Sequence, residues 1–223
     1  MAKYYTESLS GKRLQRCYDL APPRVRQYLT GEIRCVRDNI RQDDVVLELG
    51  CGYGRVLNEL SGRTNTLFGI DNSYESLRFA KNSYLKGKGI RLACMDALHT
   101  GFYDRQFDVV FCIQNGISAF GSGPDLLIDE ALRILKPKGK LLLSSYSRKF
   151  WEQRLNWFRI QAAHGLIGEI DDNLTGNGVI ICRDGFRATT FGPLQFEKLL
   201  SGKGREYQIY EVDESSLFCE ITA

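Results

Sequence analysis

Between residues 43 and 147, short apolar runs alternate with amphipathic stretches of helical period, and few folds accept such a chain. The runs are VVLELG (45–50), TLFGID (66–71), IRLACMD (90–96) and FDVVFCIQN (107–115), followed by KPKGKLLLSSYS (136–147), a turn and then a fifth strand. They are nearly continuous in apolar character, as strands covered on both faces are. Between them a helix runs to about Leu60, SYESLRFAKNSYLK (73–86) is amphipathic and opened by Ser73, and PDLLIDEALRILK (124–136) has a proline at its start. Strand–helix alternation of this kind gives an α/β fold with a mostly parallel, doubly wound sheet and helices on both faces.

The flanks read differently. Residues 1–42 are helical and basic, with nine Lys or Arg against four Asp or Glu, and Pro22 and Pro23 divide them. The apolar positions Val25, Tyr28, Leu29, Ile33, Val36 and Ile40 share one helical face. The basic surplus reads either as a solvated face or as a lid that attracts an anion. Beyond Ser147, residues 149–166 form an aromatic helical stretch, 171–178 a loop, 179–191 a hairpin about Asp184-Gly185, 193–204 a helix, and 207–222 two strands turning at 213–215. The sheet is thus expected to have seven strands, with the last pair antiparallel. The chain reads as one domain, 1–223: an N-terminal helical cap (1–42), a ligand-binding core (43–147), a cap and acceptor insertion (148–191), and a C-terminal helix and strand pair (192–223).

Composition excludes several classes. No apolar run approaches the roughly 18 residues of a membrane span, and MAKYYTESLSGKRL lacks the apolar core of a secretory signal. The seven cysteines (Cys17, Cys35, Cys51, Cys94, Cys112, Cys182 and Cys219) are odd in number and form no C-x-x-C pair. Together with only two histidines, they make neither a disulfide framework nor a metal site. The expected compartment is reducing and cytoplasmic.

The Gly-rich turn Glu48-Leu-Gly-Cys-Gly-Tyr-Gly54 stands where a strand ends and a helix begins. Its glycines allow a tight turn and close approach of a ligand to the backbone. The spacing is G-x-G-x-G, neither the G-x-G-x-x-G of dinucleotide sites nor a phosphate loop, since no Gly-Lys-Ser/Thr follows. A nicotinamide oxidoreductase is therefore disfavoured.

With VLELGCGYG (46–54), FGIDNS (68–73), CMDAL (94–98), FDVVFC (107–112) and LKPKGKLLL (135–143) in this order, the chain resembles the class I S-adenosylmethionine-dependent methyltransferases, small-molecule type. The resemblance implies a Rossmann-like sheet and S-adenosyl-L-methionine as cofactor. It implies that Glu48, Gly50, Cys51, Gly52 and Gly54 hold the amino-acid part of the cofactor. Asp71, with Asn72, would receive the ribose hydroxyls, and Asp96 the adenine amino group with Met95 and Ala97 beside the ring. Gln114 and Asn115 would lie near the transferred methyl, and Tyr5 would belong to an aromatic lid, unless the terminus frays. The expected catalytic residues are Asn115 and Tyr146, with His164 and Asp184 as further candidate bases. Trp151, Trp157 and Phe158 line an acceptor pocket or fill core, and Arg24, Arg26 and Arg187 are candidates to clamp a carboxylate.

The stretch QNGIS (114–118) departs from the Pro-Pro-aromatic signature of base-amine methyltransferases, and no RNA-binding module is visible. The expected partner is therefore a small-molecule methyl acceptor. A membrane is not expected, nucleic acid is disfavoured, and the oligomeric state is left open. The alternatives are an RNA or protein methyltransferase and a non-catalytic S-adenosylmethionine-binding module.

Overall fold

The computed structural model describes residues 2–121 and 123–223. Three helices open the chain: α1 (Ala2–Glu7), α2 (Gly11–Asp19) and α3 (Pro23–Asp38). The α/β unit follows with β1 (Val45–Leu49), α4 (Arg55–Leu60), β2 (Thr66–Asp71), α5 (Tyr74–Phe79), β3 (Arg91–Cys94), β4 (Phe107–Cys112), α6 (Pro124–Ile134) and β5 (Leu135–Tyr146). The remainder is α7 (Trp151–Ala163), the short strands β6 (Ile180–Ile181) and β7 (Arg187–Ala188), α8 (Pro193–Leu200), β8 (Tyr207–Val212) and β9 (Ser216–Thr222).

The main sheet has seven strands in the order β3-β2-β1-β4-β5-β9-β8. β1 pairs parallel with β2 and β4, β2 with β3, and β4 with β5, whereas β9 runs antiparallel between β5 and β8. Strand order therefore reverses between β1 and β4, and the carboxyl ends of these two strands open the crevice where ligands of such sheets bind. Pleat alternation fills both layers. Val46 joins the core under α3 and α4, while its neighbour Leu47 joins the core under α6 and α8. A third core joins Tyr28 and Leu29 of α3, Trp157 and Phe158 of α7, and Phe186 of the hairpin, and this core roofs the crevice.

Several element boundaries differ from the sequence reading, four of them with a local cause. β4 stops at Cys112 because Gln114 and Asn115 take left-handed backbone conformations, φ 58° and 61°, that no ladder accepts. The helix opened by Ser73 passes into a π turn, Ala80–Tyr84. β5 begins directly at Leu135, and the expected turn is absorbed as an irregularity in its pairing with β4. α8 ends at Leu200, four residues before the glycine that was read as its stop.

Candidate functional site

At the end of β1 the backbone leaves the sheet in one tight turn. The amides of Gly50 and Cys51 both donate to the Ile70 carbonyl, at 2.9 Å each, and Gly54 donates to Cys51 at 2.8 Å. Gly50 and Gly52 have φ of 74° and 53°, which glycine adopts without strain. A Cβ on Gly52 would stand 3.1 Å from Leu14 of α2, so the turn and the N-terminal helices are packed directly on each other. Gly54 stands apart from the other glycines of the turn. It precedes α4 with φ 85°, it does not line the cavity, and a Cβ there would meet Leu85 at 2.4 Å. The left-handed backbone and the contact with Leu85 are enough to require glycine there.

A cavity opens above this turn. Its walls include Glu48, Gly50, Cys51 and Gly52 from the end of β1, Asp71 and Asn72 from β2, and Met95, Asp96 and Ala97 beyond β3. Gln114 and Asn115 beyond β4, Tyr146 at the end of β5 and Tyr5 of α1 complete the set. Of the residues expected to hold the cofactor, together with Asn115 and Tyr146, all but Gly54 line this one space.

Three side chains in the wall carry buried polar atoms without a partner: Glu48, Gln114 and Arg55, the last at Nε and Nη2. Glu48 is 6% exposed, its Oε2 has no hydrogen bond, and burial drives its carboxyl well above the usual range despite nearby Arg55. The Gln114 side-chain nitrogen is likewise buried and unpartnered. Buried groups left this way are costly, and a ligand that satisfied them would recover that cost. Asp71 differs: its Oδ2 accepts from the Gly52 amide at 2.8 Å and its Oδ1 from the Ser73 amide at 2.7 Å. Burial raises its carboxyl, and those two amides oppose the rise. It therefore braces the glycine turn as well as facing the cavity. Asp96 closes its own turn, accepting from the Leu98 amide at 2.9 Å.

The two residues expected to be catalytic are both held within the fold. The Asn115 amide nitrogen donates to Ser118 Oγ and to the Thr189 carbonyl, both at 2.8 Å, and its oxygen accepts from Ser145 Oγ at 2.7 Å. Its side chain joins β4, β5 and the hairpin. Tyr146 is 6% exposed, and burial pushes its phenol up, against the effect of Arg154. A phenol raised in that way stays protonated and is no base at neutral pH.

Of the other candidates, His164 is exposed at the end of α7 with its Nδ1 2.8 Å from the Ile160 carbonyl, and Asp184 accepts from Tyr4 Oη at 2.5 Å. Neither lines the cavity. Arg24 pairs with Asp213 at 2.6 Å, Arg26 donates to the Ala21 carbonyl at 2.8 Å, and Arg187 is exposed. None of the three reaches the cavity. Trp157 and Phe158 do line it, whereas Trp151 does not.

The terminus is docked rather than frayed. Tyr4 and Tyr5 pack edge-on to Phe186, with ring centroids 5.1 and 6.1 Å away. Trp157 Nε1 donates to the Cys17 carbonyl at 3.0 Å. Arg13 donates to the Leu166 carbonyl from Nε at 3.2 Å and from Nη2 at 3.0 Å, and also to the Gly165 carbonyl.

Three residues that the sequence reading passed over matter here. Glu32, fully buried on α3, accepts from the Gln114 amide at 2.7 Å and from the Ser216 hydroxyl. Its signal was an acid four residues from both Tyr28 and Val36 on an apolar stripe. Arg154 and Gln161 are buried on α7, and Gln161 lines the cavity. Their signal was polar residues at helical spacing among the aromatics of 151–158. Among the described residues no cluster of three or more His, Cys, Asp or Glu could hold a metal ion, and no helix is long and apolar enough to cross a membrane.

Comparison with known proteins agrees with this geometry. Residues 46–139 match the family model described as a methyltransferase domain. The chain is 34% identical over 114 residues to a malonyl-[acyl-carrier protein] O-methyltransferase of Marinomonas sp., a match covering 49% of this chain and 40% of that protein. The chain thus spans less than half the length of that curated relative. An S-adenosylmethionine-dependent methyltransferase from Methanosarcina mazei superposes with a TM-score of 0.62 at 22% identity, over 84% of this chain and 95% of the other. The PH0226 protein of Pyrococcus horikoshii superposes over 100% of this chain and 98% of its own, with a TM-score of 0.68 at 19% identity.

Proposed function

We propose, from the premise that its core is a class I S-adenosylmethionine-dependent methyltransferase domain, that this protein methylates a small molecule inside the capped cavity. The observation that carries the reading is a buried Glu48 whose Oε2 has no partner, set beside a glycine turn in the wall of one cavity.

The residues present fit the cofactor. Glu48 Oε2 is free to accept from an ammonium group, and the Gly50–Gly52 backbone approaches without side chains. Asp71 keeps lone pairs beyond its two amide bonds for ribose hydroxyls, with Asn72 beside it. Met95 and Ala97 offer apolar surface to a planar base, with Asp96 as its polar contact. When bound, S-adenosylmethionine supplies an activated methyl on a sulfonium. The protein's part is to orient the acceptor and exclude water, which supplies several kcal/mol of the barrier. Tyr5, Trp157, Phe158 and Phe186 form the water-excluding wall.

The cavity is lined by no imidazole and by no carboxylate beyond Glu48, Asp71 and Asp96 among the described residues. The reading therefore favours an acceptor that arrives deprotonated, with positioning rather than proton abstraction as the main contribution. The roof of α1, α2, α7 and the hairpin favours a small acceptor over RNA or a protein. We take 1–42 and 148–191 as the acceptor cap on a 43–147 cofactor core closed by 192–223. Seven free cysteines suit a reducing compartment such as the cytoplasm.

Glu48→Gln tests the reading. Because Oε2 has no partner in the fold, neutralising it should leave stability unchanged or raised. Affinity for S-adenosylhomocysteine by calorimetry should fall about tenfold or more, the usual worth of a charged hydrogen bond. Equal affinity in the variant would remove Glu48 from the site.

A further inference from the structure

The charged side chains that line the cavity all stand on its sheet side. They are Glu48, Arg55, Asp71 and Asp96, carried at or just beyond the ends of β1, β2 and β3 or at the start of α4. The roof of α1, α2, α7 and the hairpin contributes no charged side chain to the wall among the described residues. Arg154 of α7 is charged, but it is fully buried and does not line the cavity. The roof is instead aromatic, with Tyr5, Tyr18, Trp157, Phe158 and Phe186, and one side-chain amide stands among these rings, that of Gln161. Gln161 lies three residues beyond Phe158 and four beyond Trp157 on α7, and therefore on the same helical face. The residue is only 3% exposed. Among the described residues its amide makes no hydrogen bond, yet neither its oxygen nor its nitrogen is sealed from contact, so the little surface that Gln161 keeps includes both atoms. The amide thus offers one acceptor and one donor group to whatever fills the cavity it lines.

A ligand with a net charge would lose its water against this roof and meet no counter-charge there, which is costly. The arginine that does line the wall, Arg55, is on the sheet side, where its charge acts on Glu48. An uncharged planar molecule loses little water and packs on the rings by face or edge. Its own polar edge then satisfies the Gln161 amide, which would otherwise be closed over without a partner. An acceptor that arrives both deprotonated and uncharged carries its reactive lone pair on a neutral atom, a ring nitrogen for example.

We propose that Gln161 selects the methyl acceptor by hydrogen-bonding its polar edge, and that the acceptor is an uncharged, planar aromatic molecule bearing such an edge. The proposal rests on the reading of this cavity as a cofactor and acceptor site. Gln161 then determines specificity and position and takes no part in the chemical step. The carboxylate clamp expected of Arg24, Arg26 and Arg187 has no counterpart in the roof, since none of the three lines the cavity.

The test is calorimetric titration of the protein, saturated with S-adenosylhomocysteine, using four probes of one size: benzamide, benzoate, benzylamine and toluene. Benzamide, uncharged and with an amide edge, should bind most tightly, about fivefold or more ahead of toluene, the usual worth of a neutral hydrogen bond. Both charged probes should bind more weakly than benzamide. Gln161→Leu should bring benzamide and toluene level and leave S-adenosylhomocysteine affinity unchanged. Its melting temperature should hold or rise, because the amide has no partner to lose, whereas a purely structural glutamine would lower it. Gln161→Glu, equal in length and carrying a charge, should move the preference towards benzylamine. The proposal is overturned if S-adenosylhomocysteine binds and benzamide does not, or if benzoate or benzylamine outbinds benzamide in the wild type. It is also overturned if the advantage of benzamide over toluene survives in Gln161→Leu. Should Gln161→Leu fail to fold, the wild-type comparison and Gln161→Glu still decide. Failure of S-adenosylhomocysteine itself to bind would instead overturn the cofactor reading, and this proposal with it.

Discussion

A single carboxylate, Glu32, fixes the end of β4 beside the cavity. It accepts from the Gln114 amide and the Ser216 hydroxyl, and so holds a turn in which Gln114 and Asn115 are both left-handed. Burial raises its carboxyl from an ordinary 4.5 to about 7, against the hydrogen bonds from Ser216, Ser144 and Gln114 that favour the charged form. The folded protein therefore binds this proton more tightly than the unfolded chain does. The group's contribution to stability is full below about pH 4.5 and is lost as pH rises through about 7. Glu32→Gln keeps an acceptor and a donor in place without the charge. Between pH 4.5 and 8 the wild type should lose about 3 kcal/mol relative to that variant in urea titrations. Parallel stability curves would show that Glu32 does not titrate there. Residues of this kind were hard to read from sequence. Glu48, Asp71 and Asp96 stand at strand ends, where local pattern alone marks them out. Glu32 and Gln161 stand out in the sequence only as polar residues at helical spacing, and their surroundings are set when α3 and α7 are packed against β4, β5 and the aromatic roof. The reverse holds for Asn115 and Tyr146, which stand at the right strand ends, yet tertiary contacts commit one to structure and keep the other protonated.

At the scale of elements, the roof is the part whose order depends most on few contacts. α1 and α2 lie over the glycine turn, and their links to the cap include the Arg13 guanidinium on the Gly165 and Leu166 carbonyls, Trp157 on Cys17, and Tyr4 on Asp184. Hydrogen bonds from a charged donor are worth about 1.5–3 kcal/mol each. Arg13→Gln should therefore speed amide hydrogen exchange across α1 and α2 about tenfold and leave the sheet's slowest amides unchanged, as expected of a locally opening unit. Uniform exchange rates in the two proteins would mean that Arg13 does not hold the roof. The central elements were legible because apolar runs and helical periods are local signals. Their ends were less so. β4 was read three residues too long because left-handed Gln114 and Asn115 carry no mark in composition, and the hairpin's strands are only two residues each because tertiary contacts, not propensity, shape that segment.

For the whole molecule, strand order follows from few rules. Parallel crossovers on both faces require a reversal, the reversal falls between β1 and β4, and the carboxyl ends of β1, β2, β4 and β5 share one crevice there. The glycine turn, the strand-end acids and the sheet's antiparallel edge were all legible in the chain, and the first two converge on that place. What the chain did not reveal is how its two flanks meet, because contacts between residues 1–30 and 150–190 are long-range and leave no periodic trace. The meeting of the flanks makes a roofed cavity out of an open crevice, and the account stands on what fills it. The most direct measurement is calorimetric titration of the purified protein with S-adenosylmethionine and, separately, with S-adenosylhomocysteine. The account predicts saturable binding of both at one site per chain, with a dissociation constant in the micromolar range. Absence of heat and of thermal stabilisation with either, in protein shown to be folded, would contradict it.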